Sequence, residues 1–145
     1  MTPLVSVDKI TDYIPQQAPF VMVGTLDSRN DHGAISSFFI DEKNLLVEDG
    51  RFAVSGLLEN IAQTAAANVG YACAEKEIPV PRGIIGAISK VQVYKLPKVA
   101  SEIKTKIEIK HEIFNITLIE GTVEQDGNTL ISCQMKIMVE IEDGK

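Results

Sequence analysis

With 145 residues, 45% of them apolar and 23% charged, the chain can bury one real hydrophobic core without disulfides or metals. Few prolines and a mixed composition exclude a disordered or repetitive chain, and a net charge of −6 argues against general nucleic-acid binding. Apolar runs too short to cross a bilayer, and an N-terminus without a basic stretch leading into an apolar one, give no expectation of a membrane span or secretory signal. One domain over residues 1–145, in the cytoplasm, is the default.

In chain order, residues 6–13 read as a short helix, with Ser6 as its cap and Pro15 beyond its end. Residues 20–26 are apolar and β-prone. The polar run from Ser28 to Gly33 then reads as a turn into a second strand over 34–40. Residues 44–55 show no regular pattern. The spacing predicts one long helix over 57–75, capped by Ser55, with Leu57, Leu58, Ile61, Ala62, Ala65 and Val69 on one side. Its many alanines make it thin enough for a sheet to approach closely.

From Gly83 onward the pattern is of strands. Ile103, Thr105, Ile107 and Ile109 alternate with Lys104, Lys106, Glu108 and Lys110. A strand over 116–125 follows, and Asp126-Gly127 is a strong hairpin signal. In the last strand Ile131, Cys133, Met135, Ile137, Val139 and Ile141 face one way, while Ser132, Gln134, Lys136, Glu140 and Glu142 face the other. The expected architecture is therefore α+β in two layers, an antiparallel sheet of about six strands around one long apolar helix. Cys73 and Cys133 both lie in apolar patterns and read as buried free thiols in a reducing compartment.

The charge is unevenly distributed. From Arg82 to Lys110 there are seven basic and two acidic residues, a net of +5 in a chain of net −6. Two readings stay open: a docking patch for an acidic partner, or the solvated face of two strands.

Three stretches, in order, resemble the beta-hydroxyacyl-acyl-carrier-protein dehydratases. Ile14-Pro15-Gln16-Gln17-Ala18-Pro19-Phe20-Val21-Met22-Val23 is similar to the L-P-H-R-x-P-F-L-L-V run of that family. Leu57-Leu58-Glu59-Asn60-Ile61-Ala62-Gln63-Thr64-Ala65 is similar to its L-x-x-E-A-M-A-Q-x-A helix, and the run from Tyr94 to Glu102 to its F-K-x-P-V-x-P-G-D. The resemblance implies the hot-dog fold, a curled sheet enclosing a central helix. It also implies acyl-thioester substrates on acyl carrier protein or coenzyme A, no metal and no cofactor. Pairing is implied as well: a homodimer or higher even oligomer, or a heterodimer with a homologue.

The chemistry implied by the resemblance uses a dyad. A histidine takes the α-proton of a 3-hydroxyacyl thioester, and a helix carboxylic acid protonates the departing hydroxyl. Backbone N–H groups near the helix start, here at Val54, Ser55 and Gly56, polarise the thioester carbonyl. The acid carries over to Glu59, with Gln63 one turn later to orient it. The histidine does not. In the common branch of the family its position falls on Leu45. In the short-loop branch, resembling the dehydratases of aryl-polyene pigment clusters, D-G-H-L-P corresponds to Asp49-Gly50-Arg51-Phe52-Ala53. Arg51 therefore stands where the base belongs, and a permanently protonated guanidinium is no base near neutral pH. It remains a candidate clamp for a carboxylate or a pantetheine phosphate. A solvated helix face is the alternative reading of Glu59, Asn60, Gln63 and Thr64. Three functions compete: a dehydratase or isomerase with an altered dyad, a thioesterase in which Glu59 activates water, and an inactive acyl-binding subunit paired with an active homologue.

Overall fold

The computed structural model describes residues 2–140. A 3-10 turn, Ile10–Asp12, comes first. Strands β1 (Thr25–Asn30) and β2 (Gly33–Phe39) form a hairpin, and two short strands, β3 (Val47–Glu48) and β4 (Arg51–Phe52), pair with each other. Helix α1 spans Val54–Glu75. Four long strands follow: β5 (Gly83–Val93), β6 (Glu102–Ile113), β7 (Ile116–Gln125) and β8 (Asn128–Val139). Apart from the β3–β4 pair, the strands form one antiparallel sheet of six in the order β1-β2-β6-β7-β8-β5. Helix α1 packs mainly over β2 and β6. This is the α+β hot-dog arrangement expected from the sequence.

The strand pattern places the core. Ile103, Thr105 and Ile107 on β6, and Ile131, Cys133 and Met135 on β8, are buried against the helix side of the sheet, while Lys104, Lys106 and Lys136 are exposed. Asp126 and Gly127 both take positive φ, 52° and 79°, as a two-residue turn that follows strand twist requires. At Gly121 a side chain would strike Ile61, so the glycine lets the helix come down onto β7. Cys73 and Cys133 are both buried and free.

Four boundaries differ from expectation. The first strand starts at Thr25, not Phe20, and continues through the polar Ser28, Arg29 and Asn30. Those residues pair their backbone with Ile35, Ala34 and Gly33, and the turn shrinks to Asp31-His32, held by the Asn30 side chain accepting the His32 N–H at 2.7 Å. The helix begins earlier, after an extended Ala53 with no side-chain cap, so Ser55 lies inside the first turn and is exposed. Ser6 donates to the Asp8 carboxylate instead of capping a helix, and the only helical turn nearby is Ile10–Asp12. Within the stretch read as irregular, Asp49 and Gly50 again take positive φ, 51° and 75°, and turn β3 into β4. Ile141 and Glu142, placed by pattern in the last strand, lie outside the described residues.

Candidate active site

A groove of about 650 Å³ runs between α1, residues 12–16 and the start of β5. Its helix wall is Glu59, Ala62, Ala65, Ala66 and Val69; Ile107, Ile109, Ile119 and Ile137 line it from the sheet, and Val80, Pro81 and Ile85 from the β5 side. The wall is wide because four helix positions carry only methyl groups or a valine. Residues 12–16 are held close because Gly70 has no side chain to push away the Tyr13 backbone, and Tyr13 stacks at a tilt on Tyr71, 5.6 Å between ring centres.

Glu59 is exposed in the single chain but lines this mostly apolar groove. Gln63, 1% exposed, fixes it from one turn away. The amide orientation of Gln63 is dictated by its neighbours: Met22 N–H can only donate, so it takes the Gln63 oxygen at 2.6 Å. The Gln63 nitrogen then donates to Phe20 O and to Glu59 Oε2, each at 3.0 Å. One buried amide thus ties the catalytic candidate to the strap over residues 20–22.

The reading of Glu59, Asn60, Gln63 and Thr64 as a solvated face is overturned, since all but Glu59 are buried. Asn60 donates to Met22 O at 2.8 Å and accepts from Thr105 Oγ1. Thr64 donates to Asn60 O at 2.7 Å and accepts from Ser36, also at 2.7 Å. Burying these groups between helix and sheet is tolerable because each is paired.

The other sequence candidates lie apart from Glu59. Arg51 is half-buried and donates to Leu96 O at 2.6 Å. It lines a second, charged cleft of about 650 Å³ with Lys95, Lys98, Lys104, Glu102, Glu124 and Asp126. Val54, Ser55 and Gly56 form the first turn of α1, where Gly56 lets the Phe52 ring approach, and they line neither cavity. The first helical bond runs from Leu57 N–H to Ala53 O, so the N–H groups of these three residues precede the helical ladder. Within one chain, then, Glu59 and Gln63 come together, and Arg51 does not join them. His32 and His111 line neither cavity.

Sequence reasoning missed Gln16. It lines the Glu59 groove, and its carboxamide oxygen is buried without a hydrogen-bond partner. Its substitution for the histidine of L-P-H was the available signal. Away from the groove, Asp27 would be raised by burial, but hydrogen bonds from Ser37, Thr25 and Lys104 outweigh this and hold its carboxyl below the ordinary 3.8. Burial pushes the Cys133 thiol up to about 11.

The sheet order, the central helix and the thin-walled groove along it define a hot-dog protein. Among solved structures the chain is similar to the dehydratase heterocomplex ApeI:P from Xenorhabdus doucetiae, at TM-score 0.83 and 15% identity over 92% of this chain and 91% of that one. It is also similar to the uncharacterized protein PH1136 from Pyrococcus horikoshii, at 0.70 and 14% over 98% and 97%. A hypothetical thioesterase from Streptococcus pneumoniae TIGR4, solved with coenzyme A, matches at 0.65 and 14% over 79% and 84%. At these identities the likeness is one of fold. No curated protein matches significantly in sequence. Residues 8–143 match the ApeP-like family, described as ApeP dehydratase, and the chain belongs to that family.

Proposed function

We propose that this chain is one subunit of a dehydratase that acts on 3-hydroxyacyl thioesters of acyl carrier protein or coenzyme A, with Glu59 as the acid. The observation that carries the reading is a carboxyl group held by a buried amide at the wall of a mostly apolar groove. The groove accepts the acyl chain. Glu59, in its acid form, gives its proton to the departing 3-hydroxyl, and the α-proton leaves to a base. The N–H groups of Val54, Ser55 and Gly56 are the donors for the thioester oxygen, and Arg51 is the clamp for the carrier's phosphate.

Neither histidine of the chain lines the groove, so the base comes from a second subunit. Strand β5 is the place for that subunit. All eleven of its residues are exposed, and it pairs on one side only, with β8. A second chain added there, in a homodimer or with a homologue, closes the open side of the groove. That the similar ApeI:P structure is a heterocomplex supports the heteromeric form.

A thioesterase reading also draws support, because water activated by Glu59 needs no histidine and a similar fold binds coenzyme A. Incubation with 3-hydroxyacyl and saturated acyl thioesters, alone and with a homologous subunit, separates the readings. Loss of the hydroxyl supports the dehydratase, release of free thiol the thioesterase, and binding without turnover an inactive acyl-binding subunit.

A further inference from the structure

We infer that Asn68 is a specificity-determining residue, whose amide nitrogen favours acyl chains with an oxygen acceptor far from the thioester over plain hydrocarbon chains. This rests on the reading that the groove beside Glu59 holds the acyl chain.

The helix wall of the groove carries small apolar side chains, Ala62, Ala65, Ala66 and Val69, between which a polar residue is out of place. Asn68 lines the groove with them and is only 4% exposed. Its Oδ1 accepts from Arg29 Nε at 2.7 Å. An arginine N–H can only donate, so this bond fixes which way the amide points. Arg29 uses the oxygen alone. Among the described residues the two Nδ2 hydrogens meet no acceptor, yet the nitrogen is not sealed in.

Nine residues separate Asn68 from Glu59, which sets the amide about 13.5 Å further along the helix. On the other side of the groove, residues 13–20 follow the helix from Gly70, beside Tyr13, to Gln63, which donates to Phe20 O. Gln16 lies between these two points, so its buried and unpaired carboxamide oxygen belongs to the same far half. Near Glu59 the polar groups are tied to one another; far from it they are left open.

In the free protein, water serves such an amide. A hydrocarbon chain drawn along the wall expels that water and offers no acceptor, so the N–H groups are left dry and binding is weakened. A carbonyl, ether or hydroxyl oxygen at that depth restores the bond. Discrimination of this kind is strong because the plain analogue leaves a buried polar group unpaired.

The test is binding without turnover. Acyl-pantetheine thioethers have no thioester to cleave and no 3-hydroxyl to lose. They are titrated calorimetrically into the full chain, alone and with a homologous subunit, as plain chains and as chains of matched length with a terminal methyl ketone. At one length the ketone is expected to bind at least about tenfold tighter than its plain counterpart, with the preference fading at shorter and longer lengths. Asn68→Asp keeps an oxygen for Arg29 and replaces the donor by a second acceptor, so it is expected to erase the ketone preference. Asn68→Leu, checked for folding by a melting curve, is expected to erase it as well and to bind plain chains more tightly than wild type. Equal affinities for the two series at every length overturn the inference and leave the groove standing as the acyl site. An Asn68→Asp variant that keeps the ketone preference does the same. Failure of every thioether to bind overturns the acyl site, and the inference with it.

Discussion

Gln63 donates to Glu59 Oε2 with the second of its two amide hydrogens, the first being held by Phe20 O. Under the proposed role, Oε1, which takes no hydrogen bond from Gln63, is the oxygen open to substrate. Glu59→Gln keeps the shape and removes the acid. Turnover of a 3-hydroxyacyl thioester is expected to fall by about 10²–10⁴-fold, with thermal stability nearly unchanged because the side chain is exposed. Steady-state rates beside a melting curve check both halves.

Gln63→Ala separates positioning from chemistry. It strands the buried Met22 N–H, at a cost of about 1–3 kcal/mol in stability. It also removes the bond that fixes the Glu59 carboxyl. Activity per folded molecule, with the folded fraction read from a melting curve, should still fall, a change that loss of stability alone does not produce.

Ala66 is half-buried in the groove wall. Ala66→Phe fills the slot without entering the packed core. Binding of long acyl thioesters is expected to weaken by more than about tenfold, while four-carbon substrates keep most of their affinity. Titration with a series of saturated acyl thioesters gives the cut-off, and equal losses at every length count against the groove as the acyl site.

The Asp27 carboxyl has a folded value below its ordinary one, so its charge supports the fold fully above pH of about 4 and progressively less below it. Asp27→Asn is expected to cost about 1 kcal/mol or less at neutral pH, since the site is partly open to water. The gap between variant and wild-type melting temperatures should close as pH falls from about 5 to about 2.5. A gap that widens on acidification contradicts the assignment.

The sheet was legible where one face is buried and one is wet. Ile103 through Ile107, and Ile131 through Lys136, alternate as their burial does. The first strand was misplaced because its signal is split: its polar residues lie on a sheet edge, while the apolar residues 20–23 form a strap outside the sheet. The short β3–β4 hairpin carried the same Asp-Gly signal as the last turn, but strands of two residues leave no alternation to read. In the site, Glu59 and Gln63 followed from helical spacing and from resemblance. The burial of Asn60 and Thr64 did not, because a polar pair facing matched polar groups across a sheet looks, along the chain, like a wet face. The separation of Arg51 from Glu59 was equally hidden, since eight residues of sequence cover the corner between a strand and the helix.

A helix faced largely with alanines has little to stop it sliding along a sheet of isoleucines. The contacts of Asn60 and Thr64 with Thr105 and Ser36 supply that stop. Sliding α1 along the sheet pulls Asn60 away from Thr105 and Thr64 away from Ser36, and breaking such buried contacts is costly. The seam therefore acts as a detent that selects a single alignment of helix on sheet. It indexes the position that the Glu59 carboxyl takes along the groove.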